Sequence, residues 1–182
     1  MDPSTEDTIG WKWTADGVYT THSAYRAQFF GVVKWDHIKL IWRAHTENRC
    51  KLFAWILIQN KQLTADNLTV RSWPHLTSCP LCNGPPETGH HLCLLCPFAQ
   101  MVWLQVSTWE NLVISQQALP TDFDNIKDWW EAAAHSFHQS QRRKFNGMAI
   151  YIMWNLWKER NRRVFQNEYC TVLQVTELAK EC

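Results

Sequence analysis

The chain has 182 residues, 46% of them apolar and 19% charged, with 18 Lys and Arg against 17 Asp and Glu for a formal net charge of +1. That length suits one domain burying roughly 70% of its unfolded surface. The near-zero charge excludes binding of nucleic acid by bulk electrostatics alone. Twelve tryptophans exceed what an ordinary globular chain carries, and rings at that density build an aromatic core, or a binding face where they reach the surface.

Residues 1–8 are polar and acidic and are expected to form a disordered tail, leaving residues 9–182 as a single helical domain. From Ile9 to Thr20 apolar and polar residues alternate around Asp16-Gly17, the pattern of a β-hairpin and the one strand pair expected. Thr21 or Ser23 can cap a helix running to Phe30 and ending at Gly31. Helical spacing recurs in Trp35, Ile38, Ile41 and Trp42, and again in Leu52, Phe53, Ile56 and Leu57. Thr64 carries a capping signal for a further short helix, and Pro74 ends any helix before it.

Between Cys79 and Cys96 the chain packs four of its seven cysteines and two adjacent histidines, in the run Cys79-Pro-Leu-Cys82-Asn-Gly-Pro-Pro-Glu-Thr-Gly-His90-His91-Leu-Cys93-Leu-Leu-Cys96. Two thiolates in a Cys-x2-Cys turn can bite one ion, and the loop can return a His and a further Cys to complete a tetrahedron, so the stretch reads as a zinc knuckle holding one Zn2+. Two ligand sets are compatible with the spacing. One is Cys79, Cys82, His91 and Cys96; the other replaces His91 with Cys93 to make two facing Cys-x2-Cys turns. Only register separates His90 from His91. A disulfide framework does not suit an odd cysteine count without a secretory leader.

Pro97 can open the next helix, through Met101, Val102 and Leu104. Asp122 or Asp124 can cap another, through Trp129, Trp130 and Ala133. The longest helix is expected over about 141–166, with Phe145, Met148, Ala149, Ile152 and Leu156 on one stripe and Tyr151, Trp154 and Trp157 widening it until the middle is apolar nearly all round. A last amphipathic helix follows from Thr171 to Cys182. The fold class is thus mostly α, with an N-terminal hairpin and a knuckle inserted between helices. The apolar run from Met148 to Leu156 is about half the length a membrane span needs. With no targeting leader either, the expected compartment is cytoplasmic or nuclear.

Cys79-Pro-Leu-Cys82, Pro86-Glu-Thr88, His91-Leu and Cys96-Pro-Phe-Ala99 resemble the zinc-binding domain of plant LINE-type (non-LTR) retrotransposon reverse transcriptases. Ser23-Ala-Tyr25, Leu63-Thr-Ala-Asp66-Asn-Leu68 and the box Trp157-Lys-Glu-Arg-Asn161 occupy corresponding places, so the likeness covers roughly residues 9–167. The resemblance implies His91 as the fourth ligand, with Cys93 at a position that is usually plain apolar. It also implies a linker domain without the catalytic domains of that enzyme.

The residues agree with a non-enzyme. The sequence has no Asp-Asp pair for polymerase magnesium, no Gly-rich phosphate loop and no nucleophile motif. Two kinds of partner follow. Surface tryptophans would anchor another protein, giving an adaptor, an inhibitor or an antidote-like neutraliser. Alternatively Arg142, Arg143, Lys144, Arg160, Arg162 and Arg163 would neutralise the phosphates of RNA or single-stranded DNA. The knuckle has no basic flanks, since Glu87 is the single Asp, Glu, Lys or Arg between residues 73 and 100, and this favours the protein. A homo-oligomer is compatible with either reading.

Overall fold

The computed structural model describes residues 10–28, 36–112, 114 and 118–180. The acidic tail, the end of the first helix at Phe30 and Gly31, and Cys182 fall outside them. The chain divides into two compact units, Met1–Trp35 and Asp36–Cys182.

In the first unit the Asp-Gly turn forms, with Gly17 at φ +68, and Trp11 N–H reaches the Gly17 carbonyl at 2.8 Å. Residues 10–20 contain no strand, and Ile9, where the expected hairpin begins, lies outside the described residues. Side chains take the groups a ladder would use. Asp16 Oδ1 accepts from Val18 N–H at 3.1 Å, and Thr14 Oγ1 donates to the Val18 carbonyl at 3.0 Å. Helix α1 spans Thr21–Gln28. Its cap is Thr20, one residue earlier than expected, with Ser23 N–H on Thr20 Oγ1 and Thr20 N–H on Ser23 Oγ, both at 3.0 Å.

The second unit is helical: α2 (Asp36–Trp42), α3 (Asn48–Ile58), α4 (Ala65–Val70), a π-turn (His91–Leu95), α5 (Pro97–Glu110), a 3-10 turn (Pro120–Asp122), α6 (Ile126–Ser136), α7 (Gln139–Gln166) and α8 (Val172–Lys180). Its isolated β-bridge, Ser78 with Pro86, closes the knuckle loop. No described helix is long and apolar enough to cross a membrane.

Helix α7 is the axis of this unit and touches α2, α3, α5, α6, α8 and the π-turn. The five residues of its expected stripe are all buried. Gly147 lets the α2–α3 loop approach, because a Cβ there would lie 3.3 Å from the His45 carbonyl oxygen. Trp103, Trp129 and Trp130 fill the core beside it. Each indole N–H is satisfied, by the Cys93 carbonyl at 2.8 Å, the Ala118 carbonyl at 3.1 Å and Asn146 Oδ1 at 2.9 Å. Helix α6 is capped by Asn125, whose Oδ1 accepts from Asp128 N–H at 2.9 Å. The two aspartates expected there do not serve, since Asp122 ends the 3-10 turn and the chain is extended at Phe123.

Candidate metal centre

The knuckle is built by backbone bonds before any ion is considered. Asn83 N–H returns to the Cys79 carbonyl at 2.8 Å, closing the Cys-Pro-Leu-Cys turn, and Asn83 takes the left-handed conformation at φ +54 that reverses the chain. Cys79 N–H bonds the Pro85 carbonyl and Glu87 N–H the Thr77 carbonyl, at 2.9 and 2.8 Å, so the loop is closed on both sides of the bridge. Thr88 Oγ1 accepts from His91 N–H at 3.0 Å. The turn that follows is wound one residue wider than an α-turn, with Cys96 N–H on the His91 carbonyl at 2.7 Å. It puts His91 and Cys96 at the two ends of one hydrogen-bonded ring while Leu92, Cys93 and Leu94 drop into the core.

Cys79, Cys82, His91 and Cys96 come together, with their four ligand atoms all within 4.8 Å of one another. A tetrahedral zinc with its usual bond lengths has sulfur–sulfur edges of about 3.8 Å and sulfur–nitrogen edges of about 3.5 Å. Cys79 and Cys96 sulfurs lie 3.9 Å apart, and Cys82 Sγ lies 3.4 Å from His91 Nε2. Three thiolates and an imidazole are also the donors zinc prefers, so the cluster fits one Zn2+ and its four ligands leave no open position.

The four side chains differ in their electrostatic surroundings. Contact with Cys96, followed by burial, pushes the Cys79 thiol up, while the same contact holds Cys96 down. Amides of Leu81 and Cys82 reach Cys79, and those of Phe98 and Ala99 at the start of α5 reach Cys96. Burial lowers the His91 pKa below the usual histidine value, keeping its ring neutral as a ligand must be.

The structure leaves both alternative ligands outside the cluster. Cys93 is fully buried, and that burial pushes its thiol up. His90 points elsewhere, with a buried Nε2 that has no partner and a pKa lowered chiefly by burial.

The six basic residues acquire partners that sequence reasoning did not foresee, three of them beside this centre. Arg160 forms a bidentate pair with Glu87, at 2.6 and 3.0 Å, with both side chains inside the protein (6% and 1% exposed). The Glu87 backbone carbonyl also accepts from Asp66 N–H at 3.3 Å, fastening the start of α4 to the knuckle. Arg163 donates to the Pro80 and Leu81 carbonyls, at 3.1 and 2.9 Å, gripping the metal turn from behind. Arg162 and Arg163 both meet the buried Glu159, which also accepts from Cys170 N–H at 2.8 Å. At the other end of α7, Lys144 pairs with Glu110. Arg142 bonds the Ala134 and Phe137 carbonyls, and Arg143 the Arg43 carbonyl. The signal that could have revealed this clamp was the joint presence of a lone acid in the knuckle and the distant Trp-Lys-Glu-Arg-Asn box.

With this geometry in hand, a family described as zinc-binding in reverse transcriptase matches residues 19–103, a stretch that contains all four ligands. Over residues 19–103 the chain is similar to the zinc-binding domain of reverse transcriptases. A protein of Arabidopsis thaliana named for ribonuclease H is 24% identical to the chain over 171 residues, which is 90% of this chain and 26% of that protein. The chain thus spans about a quarter of the relative's length. No solved structure matches. Beyond the matched stretch, α7 clamps the knuckle, with Arg160 and Arg163 reaching back to it.

Proposed function

We propose that the chain is a non-catalytic domain, descended from the reverse transcriptase of a plant LINE-type retrotransposon, in which one structural zinc on Cys79, Cys82, His91 and Cys96 holds a scaffold that binds another protein as adaptor or inhibitor. Zinc in such a site contributes roughly 10–16 kcal/mol, as much as the roughly 5–15 kcal/mol that keeps a domain folded.

The observation that carries the protein reading is where the arginines go. Arg160, Arg162 and Arg163 face carboxylates and carbonyls of their own chain, and Lys144 faces Glu110, so most of the basic helix has its charge answered internally. An apolar groove of about 510 Å3 meanwhile lies open along α5, lined by Leu94, Trp103, Leu104, Leu112, Leu119 and Trp129. Leu104 and Leu119 are exposed at it, and a groove of this kind takes an apolar side chain of a partner. The test is capture from the source tissue with wild-type and Leu104→Glu protein, with and without nuclease. A partner that resists nuclease and is lost with Leu104→Glu supports the reading. Capture abolished by nuclease and indifferent to Leu104 overturns it in favour of nucleic acid.

A further inference from the structure

A cavity of about 860 Å3 lies between the end of α2, α6 and the start of α7, remote in sequence from the metal ligands. Among the described residues its wall carries Lys39, Arg43, Arg142, Arg143 and Glu131, a formal surplus of three positive charges (four minus one) in a chain whose whole formal charge is +1. The remainder of the chain therefore sums to about −2 on the same formal count.

The hydrogen bonding there differs from that at the knuckle. Arg142 is oriented by two neutral acceptors, the Ala134 carbonyl at 2.9 Å and the Phe137 carbonyl at 3.3 Å, and Arg143 by the Arg43 carbonyl at 3.1 Å. Among the described residues no carboxylate forms an ion pair with Arg43, Arg142 or Arg143. Carbonyls fix a guanidinium without neutralising it, and each fork keeps further N–H donors. Positively charged donors held in place by neutral groups inside a concavity are what an anion site requires.

From this we infer that the cavity binds a compact phosphorylated ligand through Arg43, Arg142 and Arg143. Charge density selects phosphate over carboxylate. A phosphate group carries about −1.5 to −2 on three acceptor oxygens, so a diphosphate answers the surplus within a volume of the size that holds small ligands. An acidic peptide would have to bring three carboxylates into the same space. The phosphoryl groups can belong to a free nucleotide or to the end of a nucleic acid strand. This inference is independent of the protein reading, since the groove on α5 and this cavity share no residue.

The test is calorimetric titration of the zinc-loaded full chain with inorganic pyrophosphate, repeated with a nucleoside triphosphate, a 5′-phosphorylated RNA oligonucleotide and a triglutamate peptide. Saturable pyrophosphate binding is expected to weaken about tenfold or more with Arg43→Ala and with Arg143→Ala, the loss of a charge-assisted bond. Gln139→Glu is the companion variant. It adds an acid at the cavity wall and in the first turn of α7, where acids favour the helix, so it leaves the fold intact while repelling an anion. Competition of the triphosphate or the RNA with pyrophosphate assigns the source of the phosphate. Absence of pyrophosphate binding, equal binding by all three variants, or displacement by triglutamate alone overturns the inference.

Discussion

Replacing Glu87 with Gln keeps the volume of the side chain and removes the charge that Arg160 faces. Arg160 makes two bonds to that carboxylate and is itself almost wholly inside the protein. Two charge-assisted bonds at about 1.5–3 kcal/mol each give about 3–6 kcal/mol, in line with the roughly 3–5 kcal/mol lost when one partner of a buried pair is removed. For a chain of this size, roughly 2–4 °C per kcal/mol turns 3–5 kcal/mol into a melting temperature lower by about 6–20 °C. The assay is thermal unfolding by circular dichroism with one equivalent of zinc, for Glu87→Gln, Arg160→Met and the pair Glu87→Met with Arg160→Met. The double variant should recover at least half of the loss, because removing both charges leaves neither stranded. A shift under about 3 °C for Glu87→Gln, or a double variant that melts at the sum of the single losses, would refute the clamp.

Cys79→Ser, Cys82→Ser, Cys96→Ser and His91→Ala are expected to lower bound zinc below one per chain by elemental analysis, with loss of helical signal. Cys93→Ala and His90→Ala should hold one equivalent; zinc lost from Cys93→Ala and retained in His91→Ala would instead restore the two-turn ligand set. Arg163→Met should leave the metal turn standing but loosen it, seen as faster zinc transfer to a chelator at unchanged stoichiometry, since the Pro80 and Leu81 carbonyls lose their donor. Asn167 closes α7 in the left-handed conformation at φ +54. There Asn167→Gly should be neutral or slightly stabilising, and Asn167→Val should cost about 1–2 kcal/mol in chemical unfolding.

The parts of this molecule that sequence reasoning reached are those written into local spacing. The Cys-x2-Cys turn and its returning His and Cys are a short-range pattern, and α7 advertises itself by an apolar period sustained from Phe145 to Leu156. Local competition decided what was misread. The Asp16-Gly17 turn was legible, but the strands beside it depended on Val18, whose backbone is taken by Asp16 and Thr14. Asn125 and the two nearby aspartates are chemically equivalent caps, and the path of the chain through Phe123 chose among them. The partners of the α7 arginines were out of reach for a different reason. A run of basic residues near a helix end looks solvated, and nothing local says that a carboxylate 73 positions away waits for Arg160.

The Glu87–Arg160 pair also says how much chain has to be inherited together. A polypeptide cut at the edge of the recognisable signature, after Trp103, would retain the three thiols and the imidazole of the cluster, yet strand an acid in the interior with no counter-charge. The signature is therefore shorter than the piece that can stand alone. Any genetic rearrangement that carries this fold to a new setting has to bring the segment through Arg163 along with it, or supply another cation in its place.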